Sequence, residues 1–189
     1  SQLDAYDHGM LGARWITAYS TCVELVTPVK GERQGQPSLV YHAADGRSHA
    51  YPVLEVGQTW FDRIEEVTVS RLSETLLVLD FGKPLPVGEQ SNWREIYELV
   101  EGGHHYRLVT LQARDGASIG LRYDHVIAGT GEQVLSDIIS KQGEAVMAHV
   151  GTQPDARTGL IKSLWVLKDG QVVRQLAAYT HDDERDLVA

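Results

Sequence analysis

Short runs of alternating apolar and polar residues, separated by turn residues, recur along the 189-residue chain. Three Asp-Gly pairs, Asp45-Gly46, Asp115-Gly116 and Asp169-Gly170, each lie between alternating or β-branched runs. A strand points successive side chains to opposite faces, so alternation marks a strand. Asp-Gly suits a type I′ hairpin turn, which needs positive φ at both central positions. Gly102-Gly103 and Gln142-Gly143 are weaker marks of the same kind. Both faces of these hairpins carry apolar residues, so the pattern predicts an all-β chain of meandering antiparallel hairpins forming a curved sheet.

A two-residue loop fixes the register of each hairpin. Around Asp45-Gly46 it sets His42 opposite His49 and Val40 opposite Tyr51. Around Asp169-Gly170 it sets Leu167 opposite Val172 and Trp165 opposite Arg174, a cation–π pair. Helical spacing competes with strand over residues 93–100 and 132–141. Pro84, Pro86, Gly88 and Ser91 mark a linker at residues 84–92 between a module at 1–83 and hairpins at 93–189. A second irregular stretch, residues 151–159, contains Pro154 and reads as a longer surface loop.

Charge narrows the partners. The formal net charge of −9 disfavours nucleic acid, which needs clustered Lys and Arg, and equally an anionic membrane surface. No apolar run approaches the roughly 20 residues of a membrane span, and no signal-peptide pattern opens the chain. The single cysteine, Cys22, has no internal disulfide partner and reads as a small apolar strand residue. The first residue is Ser1, as expected of a piece of a longer polypeptide.

The search for chemistry yields little. There is no Gly-x-Ser-x-Gly elbow. Gly129-Thr130-Gly131 lacks the Lys-Ser/Thr of a phosphate loop and reads as a turn. His42 and His49, facing each other about 5 Å apart, would supply half of a metal site. No third ligand is fixed by spacing, so a packed cross-strand pair is the plainer reading. Paired acids such as Glu65-Glu66 read as a solvated face. No cofactor and no catalytic residue is expected.

The specific signal runs from Gly9 to Phe81. Gly9-Met10-Leu11-Gly12-Ala13-Arg14-Trp15 is followed by Asp45-Gly46-Arg47, then Tyr51-Pro52-Val53-Leu54-Glu55-Val56-Gly57, then Val67-Thr68-Val69-Ser70-Arg71. Farther on come Leu121-Arg122-Tyr123-Asp124 and Tyr179-Thr180-His181-Asp182. This order resembles the N-terminal module and first YD repeats of the Rhs polymorphic toxins, which are similar to the C components of insecticidal Tc toxins. Ala13, His181 and Glu184-Arg185 depart from the family pattern. The structural positions carrying the resemblance are Gly12, Trp15, Asp45, Gly46, Arg47, Pro52, Gly57, Tyr123, Asp124, Tyr179 and Asp182.

The resemblance implies a non-enzymatic segment of a hollow shell that encloses a C-terminal toxin. It also implies a bacterial parent, delivered from the cytoplasm by type VI secretion or a related route. Expected partners are the remaining shell segments, the enclosed toxin and a secretion-apparatus or chaperone protein. Self-association through open strand edges is a further expectation. A free-standing β-rich carbohydrate- or protein-binding module is the alternative, favoured if Trp15, Trp60, Trp93 or Trp165 lines a concave patch beside polar groups.

Overall fold

Hairpin after hairpin builds the molecule. The computed structural model describes residues 10–11, 17–28, 35–82, 93–182 and 187–188. Within them every regular element is a β-strand, and the assigned strand pairs are antiparallel. Residues 93–100 and 132–141, where two periodicities competed, contribute strands. Two units form, one from residues 21–116 and one from residues 1–20 with 117–189.

The first unit holds β1 (Cys22–Val26), β2 (Ser38–His42), β3 (Ser48–Pro52), β4 (Thr59–Asp62), β5 (Val67–Arg71), β6 (Leu76–Phe81), β7 (Trp93–Leu99) and β8 (His105–Ala113). Neighbours run β3-β2-β1-β8-β7-β6-β5-β4. Alternate residues supply the core: Val67 and Val69, Leu77 and Leu79, Tyr106 and Leu108 are all buried. Each such aliphatic side chain contributes about 1.5–3 kcal/mol by leaving water. Val78 is buried as well, so both faces of β6 are covered. The expected linker at 84–92 lies outside the described residues; β6 and β7 on either side of it pair from Leu76↔Glu98 to Phe81↔Trp93.

Turn geometry decides register, and it corrects one expectation. Gly46 alone takes positive φ (+85°) between β2 and β3; Asp45 does not. Ala43 N–H donates to Arg47 O at 2.9 Å, and Gly46 N–H to Ala43 O at 3.1 Å. The loop is therefore three residues, a turn closed by one left-handed glycine, rather than a two-residue type I′ turn. Pairing slips by one: Tyr41 faces His49, His42 faces Ser48, and Leu39, not Val40, faces Tyr51. A slip of one moves side chains to the opposite face.

The second unit holds β9 (Ala117–Arg122), β10 (His125–Val126), β11 (Gln133–Val134), β12 (Asp137–Gln142), β13 (Ala145–Pro154), β14 (Ile161–Lys168) and β15 (Gln171–Ala178). Its sheet runs β9-β12-β13-β14-β15, while β10 and β11 form a small hairpin. Leu121, Ile127, Leu135, Ile139, Leu160 and Ile161 are buried. At Asp169-Gly170 both residues take positive φ (+52° and +76°), the expected type I′ turn, and Leu167 faces Val172. A register shift between Val166 and Leu167 then sets Arg174 opposite Val166 and Gln175 opposite Trp165, so the expected Trp165–Arg174 pairing does not form.

The irregular stretch expected at 151–159 is shorter than its composition suggests. β13 continues through Pro154. Asp155 then accepts the backbone N–H groups of Arg157 and Thr158, both at 2.9 Å, and Asp155 N–H donates to Leu160 O at 2.8 Å. Those hydrogen bonds hold its carboxyl down at about 2.

Candidate functional site

The histidines separate. His42 sits on β2 with Nε2 3.0 Å from Glu24 Oε2 and Nδ1 2.9 Å from Ser48 Oγ. His49 stacks on Tyr41 with ring centroids 6.3 Å apart, its Nδ1 3.7 Å from Glu65 Oε1. The slipped register puts the two imidazoles on opposite faces, which overturns the facing pair that a metal reading needs. Among the described residues no group of three or more His, Cys, Asp or Glu side chains is placed to hold a metal ion.

The first unit instead encloses a carboxylate. Glu95 on β7 is buried and accepts hydrogen bonds from the Tyr41 hydroxyl (3.1 Å), the Tyr97 hydroxyl and Trp93 Nε1 (3.4 Å). Thr21 Oγ1 lies 2.9 Å from the Tyr97 oxygen. Burial and the neighbouring Glu95 push both tyrosine hydroxyls well above their ordinary range. Such a group neither donates a proton readily nor attacks anything. The arrangement satisfies buried polar atoms and ties β2 to β7.

A serine, an aspartate and a histidine meet in the second unit. Ser136 Oγ donates to Asp137 Oδ2 at 2.7 Å, and His149 Nε2 sits 2.6 Å from Asp137 Oδ1. The serine hydroxyl points to the carboxylate rather than to the imidazole, so this is not the order in which a histidine takes a serine's proton. Ser136 Oγ also accepts Asp124 N–H at 3.1 Å. Burial pushes the Cys22 thiol up to about 12, with Glu24 adding to the effect, which leaves it protonated and inert at neutral pH.

The positions expected to matter structurally occupy turns and strand ends. Asp45 accepts Arg47 N–H at 3.0 Å and Arg47 Nε at 2.7 Å, and these bonds lower its pKa. Pro52 is the last residue of β3. Gly57, at φ +86°, turns the chain toward β4 and donates its N–H to Arg71 O at 2.7 Å. Tyr123 and Asp124 follow β9 directly. Tyr179 N–H donates to Lys162 O at 2.7 Å, and Asp182 is exposed beside His181, whose Nε2 donates to Leu11 O at 2.9 Å. Gly12, Trp15 and residues 183–186 lie outside the described residues.

What stands open is the β13–β15 side of the second unit. β15 pairs with β14 alone among the described residues. Val172 and Val173 are consecutive yet 61% and 59% exposed, so neither face of this strand is covered. Beside it lies a cleft of about 390 Å³ lined by Gly151, Thr152, Gln153, Trp165, Leu167 and Val172. Gly151 makes room for Leu167 in the cleft wall: a Cβ there would lie 2.6 Å from Leu167 Cδ1. Trp165 Nε1 donates to Ser163 Oγ at 2.7 Å, and Ser163 in turn to Gln153 Oε1 at 3.2 Å, which fixes the indole. The sequence flagged Trp165; Gly151 was missed, although a lone glycine inside an alternating strand signals close approach.

No protein-family model matches the chain, and no curated protein matches it.

Proposed function

We propose that the chain is a non-catalytic wall segment of a YD-repeat shell of the Rhs type. Its sheet would be continued by neighbouring segments of a longer polypeptide that encloses a toxin. The observation that carries this reading is β15, an eight-residue strand with both faces exposed and, among the described residues, one edge unpaired. Open N–H and C=O groups along such an edge recruit other chains. Support also comes from the hairpin grammar and from the order of motifs between Gly9 and Asp182.

On this reading the polar clusters hold the wall together, the partners are the adjoining segments and the enclosed cargo, and the parent is bacterial and exported. Reading the gene around this segment tests it. Several hundred further codons of Tyr-Asp hairpins downstream are expected. A gene that encodes no further repeats would sink the proposal. The Trp165 cleft, with Gln153 beside it, favours a second reading as a protein-binding module, which predicts a ligand that binds the isolated chain and no such gene context.

A further inference from the structure

We propose that the first unit binds an internal water molecule, held between the hydroxyl of Tyr51 and the carboxylate of Asp62. The site needs only residues of that unit, so it stands or falls apart from the shell reading.

The donor comes first. Tyr51 on β3 is 2% exposed, and its hydroxyl oxygen is buried with no hydrogen-bond partner among the described residues. Tyr41 and Tyr97, buried in the same unit, both give their protons to Glu95, so the hydroxyl of Tyr51 is the exception. A buried hydroxyl loses its hydration on folding, and native interiors replace that loss with a protein group or an ordered water.

Position supplies the acceptor. The Tyr51 ring packs on Trp60 with centroids 5.5 Å apart. Trp60 and Asp62 alternate along β4, opposite the buried Val69 and Val67. Asp62 therefore shares the face that meets Tyr51, about 7 Å along the strand from Trp60. Its Oδ1 accepts the N–H groups of Ile64 at 2.8 Å and Glu65 at 3.3 Å, while Oδ2 takes no hydrogen bond among the described residues. Burial, then the charges of Asp62, Glu65 and Glu95, push the Tyr51 hydroxyl up to about 12, so it keeps its proton at neutral pH. A donor and an acceptor that share a site without touching need a small molecule that accepts from one and donates to the other. Water does both. A metal ion lacks its ligand set, since no three His, Cys, Asp or Glu side chains among the described residues converge on one point.

The test uses the whole chain. Magnetic relaxation dispersion of the water signal counts long-lived internal waters, and water-to-protein NOEs locate them. The Tyr51 ring protons are expected to show an NOE to a long-lived water, and Tyr51→Phe should lower the count by one. Asp62→Asn keeps an acceptor oxygen and should retain the water, whereas Asp62→Ala should lose it. Thermal melts give a second readout: Tyr51→Phe should lower the melting temperature, because it removes a bonded hydroxyl, while an unbonded one predicts a rise. A Tyr51 ring without water contact, an unchanged count in Tyr51→Phe, a raised melting temperature, or a water retained in Asp62→Ala would each overturn the site.

Discussion

Tyr41 on β2 donates its hydroxyl to the buried carboxylate of Glu95 on β7, 3.1 Å away and 54 residues along the chain. The bond links two strands that are not neighbours in the order of the sheet. Tyr97 shares the same carboxylate oxygen, so both tyrosine hydroxyls converge on one buried carboxylate. Replacing Tyr97 with Phe should cost about 1–3 kcal/mol, the penalty for leaving buried partners unpaired. Glu95→Ala orphans several donors at once and should cost more than either Tyr→Phe change. Urea unfolding of the three variants measures this; equal, negligible losses would show that these bonds hold nothing together.

The same tyrosines predict how stability responds to alkali. Burial, with Glu95 second, raises Tyr41 and Tyr97 well above the ordinary value; burial and then Asp62, Glu65 and Glu95 push Tyr51 up to about 12. The unfolded chain loses these protons near pH 10 while the folded chain keeps them. The folded state then binds more protons, so stability is fully present below pH 10 and falls as pH rises above it. Thermal unfolding between pH 8 and 12 should show a steep decline that Tyr51→Phe makes shallower. A flat profile would contradict the buried placement of these hydroxyls.

Turn chemistry distinguishes the aspartates of two Asp-Gly pairs. Asp169 takes φ +52° and Asp45 does not, whereas both following glycines are left-handed. Asn tolerates that conformation at least as well as Asp. Asp169→Asn should therefore be neutral or stabilising. Asp45→Asn loses the carboxylate that holds Arg47, at 2.7 Å, and should be neutral to mildly destabilising. Gly46→Ala and Gly170→Ala should each cost about 1 kcal/mol or more from forced positive φ. Paired thermal melts check all four.

Zinc distinguishes the observed register from a facing histidine pair. His42 and His49 lie on opposite faces, one bonded to Glu24 and the other stacked on Tyr41. Zinc should raise the melting temperature no more in the parent chain than in His42→Ala or His49→Ala. A zinc-dependent rise abolished by either substitution alone would contradict the slipped pairing.

Much of the fold was legible because its grammar is local. Asp-Gly and Gly-Gly pairs placed the hairpins. Register was harder to read, because Asp45-Gly46 and Asp169-Gly170 carry the same dipeptide yet close loops of different length. Whether the Asp goes left-handed depends on its flanks, Arg47 bonding back to Asp45 in one case and Lys168↔Gln171 closing tightly in the other. The register shifts near Trp165 interrupt the β14–β15 ladder away from the turn, where no dipeptide reports them. Glu95 was invisible for a similar reason. Its partner Tyr41 lies far off in sequence, as does Thr21, which accepts from the Tyr97 hydroxyl, and an acid in the run Trp93 to Leu99 reads as a wet position until the fold buries it.

The central claim is that β15 is an interior strand of a longer wall, and hydrogen exchange tests it most directly. Amide exchange along Gln171–Ala178 should be followed in the 189-residue chain alone and in the protein as its gene encodes it. In the isolated chain the outward amides of β15 should exchange rapidly. In the encoded protein the account predicts strong protection of those alternate amides, as for any strand paired on both sides. Rapid exchange of the same amides in both would contradict it.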